Sequence, residues 1–201
     1  MNADTTPTTK LPATGDVIGD GYTIVRKLGI GGMGAVFEVE NRKRGGRSAM
    51  KIMLPNLAID AEFRARFERE ARISSMVSSA HVAEVQEVGA LSDGRLFMVM
   101  ELLVGNDLEH ELRARGPLPP EEVAGWIIQA CGALHEAHKN QIVHRDLKPA
   151  NLFLARRVDA SPLVKVLDFG ISKTADSAVE NLTKTMSAMG SARAAHWTVR
   201  P

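Results

Sequence analysis

Residues 144–151, with the sequence HRDLKPAN, concentrate the side chains of this chain that are best suited to chemistry. His144, Asp146, Lys148 and Asn151 supply an imidazole, a carboxylate, an ammonium and a carboxamide within this stretch. Apolar residues precede it at 142–143 and follow it at 152–154. Polar groups between apolar runs need partners, because one left buried alone costs about 1–3 kcal/mol. Two interpretations follow: a polar loop between short strands, or a loop whose side chains act together in catalysis.

A second candidate site is the glycine-rich stretch that begins at Gly29. Gly29, Gly31 and Gly34 have the spacing GxGxxG, which also fits a dinucleotide-binding turn. That turn requires a helix after the last glycine and an acidic residue about 20 positions later. Here residues 35–40 have a strand pattern, and the nearby candidate is Lys51. The order strand, glycine turn, strand favours a flap whose backbone N–H groups cover phosphates, against a simple hairpin without a ligand.

Lys51 is a charged residue within an otherwise apolar strand predicted at residues 48–54. It shares one strand face with Ala49 and Met53, because side chains alternate along a strand. A lysine in this setting either extends its ammonium to solvent or meets a carboxylate. The strand alone favours the first possibility, and the helix that follows changes this.

Glu70 is the carboxylate that the following helix offers to Lys51. Asp60 is a suitable N-cap for a helix that ends near Met76. Phe63, Phe67, Glu70 and Ser74 fall on one helix face, which places a carboxylate in the apolar stripe. A carboxylate that faces the core requires a cation, and we expect Lys51 and Glu70 to pair. The alternative is two unrelated solvated charges.

Composition restricts the class of protein. The chain has 201 residues, enough for one domain or two small lobes, and 44% of them are hydrophobic. A net charge of +1 gives no electrostatic argument for nucleic acid or a membrane surface. Cys131 is the only cysteine, which excludes an internal disulfide and suits a reducing compartment. With no apolar run long enough to cross a bilayer and no signal peptide, we expect a cytoplasmic protein.

Two further motifs lie at residues 101–105 and 168–170. Residues 101–105 follow a predicted strand and lead towards predicted helices at 106–115 and 121–140. Asp168, Phe169 and Gly170 end a predicted strand at 163–167. A carboxylate that leaves a strand beside a glycine turn is well placed to hold a divalent ion over phosphates.

Taken in order, these motifs resemble the protein kinases, specifically the bacterial, eukaryotic-like serine/threonine type. HRDLKPAN resembles the kinase catalytic loop, and the glycine flap, Lys51, Glu70, the hinge at 101–105 and Asp168-Phe169-Gly170 follow the family's order. Lys148, two positions after Asp146, fits the serine/threonine branch. The resemblance runs from about Tyr22 to Ser191. It implies an α+β, bilobal fold with an N-terminal lobe of five strands and one helix and an incomplete, mainly helical C-terminal lobe.

The resemblance also implies roles for individual residues and a requirement for ATP and Mg²⁺. Asp146 would orient the hydroxyl of a protein substrate and accept its proton, while Lys148 would neutralise the γ-phosphate. Asn151 and Asp168 would bind the metal ions. Thr183 and Thr185 would be phosphorylation sites in an activation segment. The implied ATP-binding residues are Leu28, Gly29, Gly31, Gly32, Gly34, Val36, Lys51, Glu70, Met100, Glu101 and Leu103.

The ends of the chain depart from the family. Residues 1–21 are rich in Thr and Pro, and we expect a disordered leader followed by a kinase domain at 22–201. Within it we expect an N-terminal lobe at 22–103 and part of a C-terminal lobe at 104–191. Residues 192–201 do not resemble the family, as a truncation or reading-frame change would produce. The alternative function is therefore an impaired kinase remnant that at most binds nucleotide.

Overall fold

Two lobes meet at residues 102–104 in the computed structural model, which describes residues 10–19, 21–43, 45–157 and 161–169. The smaller lobe holds an antiparallel sheet of order β1-β2-β3-β4-β6-β5, and the larger lobe holds the sheet β7-β8-β9. The elements are β1 (Val17–Ile18), β2 (Tyr22–Ile30), β3 (Gly34–Asn41), β4 (Arg47–Met53), α1 (Ala61–Met76), β5 (Val85–Ala90), β6 (Leu96–Glu101), β7 (Gly105–Asp107), α2 (Leu108–Arg115), α3 (Pro120–Lys139), β8 (Leu152–Arg156) and β9 (Pro162–Val166).

The centre of the smaller sheet is covered on both faces, which explains why β3 and β4 are buried almost continuously. Phe37, Val39, Met50 and Ile52 belong to one apolar cluster. On the opposite face Val36, Ala49 and Met53 pack in a cluster that contains Phe67 of α1. Lys51 therefore lies on the face that α1 covers, as the alternation of side chains predicts.

Helix α1 begins and ends where the sequence predicts. The Asp60 carboxylate accepts hydrogen bonds from the backbone N–H groups of Glu62 and Phe63, which otherwise have no partner in the first turn. Phe67, Glu70 and Ala71 are its buried residues. The predicted stripe is correct at Phe67 and Glu70, and Glu70 is brought against β4.

The five strands predicted for residues 22–103 are present as β2 to β6, and a sixth strand, β1, precedes them in the sheet. The additional strand β1 pairs with β2, with Val17 opposite Thr23 and Ile18 opposite Tyr22. Residues 10–19 therefore include structure where a leader without structure was expected. A strand of two residues is too short to show an alternating side-chain pattern. Its stability comes from backbone pairing and from the burial of Ile18.

The larger lobe is mainly helical among its described residues, as predicted, and its sheet has one strand, β7, that the sequence analysis did not predict. Strand β7 occupies residues that were predicted to start the helix, and α2 begins at Leu108, where the Asp107 carboxylate caps it. The predicted long helix is present as α3. None of the helices in the described part of the chain is long and apolar enough to span a membrane.

The core of the larger lobe extends across the boundary at residues 102–104. Trp126, Ala130, Ala133 and Ala137 of α3 pack with Val164 and Val166 of β9. Val77 and Val82, which lie between α1 and β5, are buried in the same cluster, and Ile73 of α1 packs against it. The chain that connects α1 to β5 is thus part of both lobes.

Gly105 fixes how the chain enters the larger lobe. Its φ is +147°, and an added Cβ would lie 2.0 Å from the Leu154 carbonyl oxygen. Gly116 also has a positive φ, +73°, but an added Cβ would meet nothing within 4 Å. We predict that Gly105→Ala lowers the free energy of unfolding by at least about 4 kcal/mol, because the clash is with backbone.

Gly116→Ala is the matched control for this prediction. It has a positive φ without the clash, and with a ψ of −152° its conformation is one that side chains rarely adopt, so the expected loss is about 1–3 kcal/mol. Urea unfolding of the two variants and the parent chain measures both values. Equal losses in the two variants would show that the contact with Leu154 does not constrain this position.

Candidate functional site

An apolar pocket lies where the two lobes meet. Four of the predicted ATP-binding residues line it, namely Leu28, Met100, Glu101 and Leu103. The remaining lining residues, which the sequence analysis did not assign, are Ala49, Ala83, Leu102 and Leu167. Ala49 was detectable, because it shares a strand face with Lys51 and its small side chain leaves room. Its apolar lining is of the kind that binds a flat ring.

The glycine turn between β2 and β3 lies at the same end of the sheet as Lys51. The Gly31 N–H donates to the Gly34 carbonyl oxygen at 2.8 Å, which closes the turn. In the sheet, Gly34 lies opposite Met53 and Val36 opposite Lys51. A Cβ on Gly34 would lie 2.8 Å from the Ile52 carbonyl oxygen, so this position accepts only glycine without a shift of the backbone. Gly29 pairs with Val36 beside it, and Gly32 lies in the turn itself.

The predicted pair of Lys51 and Glu70 is present. Lys51 Nζ lies 2.5 Å from Glu70 Oε1 and 3.4 Å from Asp168 Oδ1. The Lys51 and Glu70 side chains are 9% and 6% exposed, whereas that of Asp168 is 45% exposed. One ammonium thus joins three separate parts of the chain: β4, α1 and the segment after β9. Asp168 is the member of the group that remains open to solvent.

The charges of this group depend on one another. Burial acts to lower the pKa of Lys51, but the carboxylates of Asp168 and Glu70 outweigh it and raise the pKa, so the ammonium keeps its proton. Burial raises the pKa of Glu70 to about 7, against the opposing effect of Lys51. Partial burial also acts to raise the pKa of Asp168, yet the Lys51 ammonium holds it below its ordinary value. Asp168 is therefore an ionised, accessible carboxylate suited to a cation.

The loop at 144–151 brings three of the predicted residues together. Lys148 Nζ lies 2.7 Å from Asp146 Oδ2. The Asn151 side-chain amide donates to the Asp146 carbonyl oxygen at 2.8 Å and to Asp146 Oδ2 at 3.3 Å. Since its NH₂ group faces Asp146, the Asn151 amide oxygen is directed elsewhere. Asp146 is held in one orientation with its side chain 40% exposed.

His144 connects this loop to the segment that carries Asp168. Its Nε2 lies 3.0 Å from the Leu167 carbonyl oxygen, and the Asp146 N–H donates to its Nδ1 at 3.3 Å. A neutral ring with its proton on Nε2 satisfies both contacts. The ring also lies 5.0 Å from that of Phe169, measured between centroids. The structure therefore gives His144 a supporting position that the sequence analysis did not assign.

Two residues at the site adopt left-handed backbone conformations that side chains usually avoid. Arg145 has a φ of +62° and Asp168 a φ of +48°. Such conformations persist only where surrounding contacts enforce them, and they occur often at functional sites. Next to Asp168, the backbone N–H of Leu167 donates to the Asn151 carbonyl oxygen at 2.9 Å. Gly170, Thr183 and Thr185 lie outside the described residues.

Comparison with known proteins agrees with this geometry. Residues 22–193 match the family described as protein kinase domain. The chain is 40% identical over 156 residues to the serine/threonine-protein kinase Pkn1 of Myxococcus xanthus, covering 78% of this chain and 22% of that protein. It is 38% identical over 170 residues to the serine/threonine-protein kinase PknH of Mycobacterium tuberculosis, covering 84% of this chain and 26% of that protein. The chain thus spans about a quarter of the length of these curated relatives.

A solved structure extends the comparison to the fold. The crystal structure of the Mycobacterium tuberculosis PknI kinase domain superposes with a TM-score of 0.69 at 35% identity, covering 81% of this chain and 64% of that one. The predicted bilobal α+β architecture is confirmed by this match.

The environment of His144 predicts a pH dependence of stability. Burial lowers the pKa of His144 from 6.5, although the Leu167 carbonyl opposes the shift. The folded state therefore prefers the neutral ring, whereas the unfolded chain gains a proton as the pH falls through 6.5. The resulting stability is present above this pH and is lost below it. We predict that the parent chain loses stability over this range and that His144→Gln loses less.

Denaturant unfolding at a series of pH values checks this prediction. Gln can still donate to the Leu167 carbonyl but has no titrating proton. His135→Gln, on an exposed part of α3, is the matched control and should reproduce the parent profile. An unchanged pH profile in His144→Gln would contradict the prediction.

Proposed function

The chain belongs to the protein kinase domain family, and we propose that it forms the nucleotide-binding and catalytic part of a serine/threonine protein kinase. The reaction is transfer of the ATP γ-phosphate to a serine or threonine hydroxyl of a protein substrate. The observation that carries this proposal is the position of Lys51, which contacts both Glu70 and Asp168 beside an apolar pocket. The names of the relatives support the serine/threonine class.

In this proposal ATP binds with its adenine in the apolar pocket and its phosphates near the glycine turn and Lys51. Its adenine ring occupies the apolar pocket, which the chain at Glu101 and Leu103 helps to line. The glycine turn covers the phosphates with backbone N–H groups, and Lys51 neutralises part of their charge. The ion pair with Glu70 holds Lys51 in place for this contact.

The oxygen donors of Asn151 and Asp168 fit Mg²⁺, which prefers carboxylate and amide oxygens. Asp168 is ionised and accessible, and the Asn151 amide oxygen faces away from Asp146. When bound, Mg²⁺ would neutralise phosphate charge and orient the γ-phosphate for transfer. The residues present therefore satisfy the chemical requirements of the metal.

Asp146 and Lys148 act on the transferred group in this proposal. The Asp146 carboxylate orients the substrate hydroxyl and accepts its proton, for which its fixed orientation and partial exposure are suitable. Lys148, which contacts Asp146 here, neutralises the γ-phosphate. Thr183 and Thr185 are proposed phosphorylation sites whose phosphate would pair with the exposed Arg145.

Binding of ATP provides the first test of the function. We predict that Lys51→Ala weakens binding of Mg·ATP at least about tenfold, equivalent to 1.4 kcal/mol, because a phosphate contact is lost. Titration calorimetry measures the affinity, and a thermal unfolding curve verifies that the variant is folded. Lys43→Ala, in the exposed turn between β3 and β4, is the control from the same lobe. Equal affinity in Lys51→Ala and the parent chain would refute the assignment.

Phosphate transfer provides the second test. We predict that Asp146→Asn abolishes transfer to a generic protein substrate and leaves the affinity for ATP nearly unchanged, because Asp146 acts on the hydroxyl. Transfer of labelled phosphate and the titration described above measure the two properties separately. Retained transfer in the variant would place this role on another residue. A parent chain that binds Mg·ATP without transfer would favour the alternative, a chain that at most binds nucleotide.

A further inference from the structure

A buried ion pair joins the two lobes on either side of the hinge at residues 102–104. Lys165 of β9 donates from Nζ to Glu101 Oε1 at 2.5 Å and to the Val82 carbonyl oxygen at 3.2 Å. The side chains of Lys165 and Glu101 are 9% and 26% exposed. Glu101 is the last residue of β6, so the pair bridges the point at which the chain passes between lobes.

The loop between α1 and β5 is held by the same group of contacts. The Glu84 N–H donates to Glu101 Oε1 at 2.9 Å, and the Glu101 N–H donates to the Glu84 carbonyl oxygen at 3.0 Å. On the other side, the Val166 N–H donates to the His81 carbonyl oxygen at 2.8 Å. We call the contacts among Lys165, Glu101, Val82 and Glu84 the hinge brace.

The hinge brace links the apolar pocket to the segment that carries Asp168, although Lys165 itself does not line the pocket. Glu101 lines the apolar pocket, whereas Lys165 does not contribute to that lining. Lys165 lies three residues before Asp168, and Leu167 between them is bonded to Asn151. A shift of Lys165 relative to Glu101 would therefore change the distance from the pocket to the proposed metal-binding residues.

A buried ammonium restricts such a shift. Separating Lys165 from Glu101 would leave the mostly buried Lys165 ammonium without its partner, which is unfavourable. The hydrogen bonds to the Val82 carbonyl and from the Glu84 N–H leave few alternative positions for the pair. The structure in which the hinge brace is formed is also the one in which Lys51 contacts both Glu70 and Asp168.

We propose that Lys165 is a positioning residue for the nucleotide: through Glu101 it fixes Asp168 and Asn151 relative to the adenine pocket. This inference rests on the proposed function. A ligand that spans the pocket and the metal-binding residues benefits from a site arranged before it binds, because it does not have to order the two lobes itself. A ligand that occupies only the pocket does not receive this benefit.

Comparison of Mg·ATP with adenosine separates this role from simple stabilisation. Lys165→Met should raise the Kd for Mg·ATP by about tenfold. The Kd for adenosine should change by less than about twofold, since adenosine lacks the phosphates that reach Asp168. Lys165→Arg should restore most of the affinity for Mg·ATP, because a guanidinium can donate to both Glu101 and Val82. Equal weakening of the two ligands in Lys165→Met would indicate a purely structural role and overturn the proposal.

Further variants test whether the effect of Lys165→Met is specific to its pair with Glu101. Lys139→Met removes an exposed lysine paired with Glu136 on α3, away from the hinge, and should change neither Kd. Glu101→Gln retains an oxygen for the Glu84 N–H but removes the charge. If the two residues act as a pair, the double variant Lys165→Met with Glu101→Gln should bind Mg·ATP no more weakly than Lys165→Met alone. Additive losses would overturn the pairing.

Amide hydrogen exchange without nucleotide tests the hinge brace independently of ATP. In Lys165→Met the amides of Glu84 and Glu101 should exchange faster than in the parent chain, while Lys139→Met should match the parent. Unchanged exchange in Lys165→Met would overturn the proposal whatever the nucleotide results. A parent chain that binds neither ligand would instead refute the proposed function, and the exchange rates would then decide whether the hinge brace restrains the lobes.

Discussion

The interaction on which the rest of the site depends is the contact of one buried ammonium with two carboxylates. Lys51 can stay charged in a nearly dry position only while Glu70 and Asp168 remain beside it. This requirement sets the rotation of α1 about its axis, the position of α1 over the sheet, and the path of the chain after β9. Packing of Phe67 against Val36 and Met53 is compatible with that arrangement, and the charges select this one position of α1 over the sheet.

A second constraint acts on the loop that carries Asp146. Its backbone passes through a left-handed residue, Arg145, and its polar groups lie close to an apolar core. His144 resolves both problems, because one ring nitrogen accepts from the loop and the other contacts the segment before Asp168. The backbone at Asp146 and the residue before Asp168 are thereby joined through one imidazole. Both contacts require a neutral His144 ring, because one of its nitrogens must accept a hydrogen bond while the other donates one.

The sequence was informative where a charge conflicts with its surroundings. Glu70 interrupts an apolar helix stripe and Lys51 an apolar strand, and the need of each for a partner predicted their contact correctly. The strands β1 and β7 were missed because backbone pairing, and not side-chain pattern, defines them. Lys165 was also missed: it lies in a short strand, and only the three-dimensional arrangement shows that its partner Glu101 comes from the other lobe. Contacts between distant segments leave no local periodicity.

The burial of Val77 and Val82 in the core of the larger lobe has a consequence for how this fold can be divided. The hinge is a boundary along the chain, but the cores do not separate there. A fragment that ended at the hinge would carry two valines whose packing partners, among them Trp126 and Val166, had been left behind. Genetic recombination that exchanged one lobe for that of a relative would have to match this shared surface. The two lobes are therefore expected to fold, and to be exchanged, as one unit.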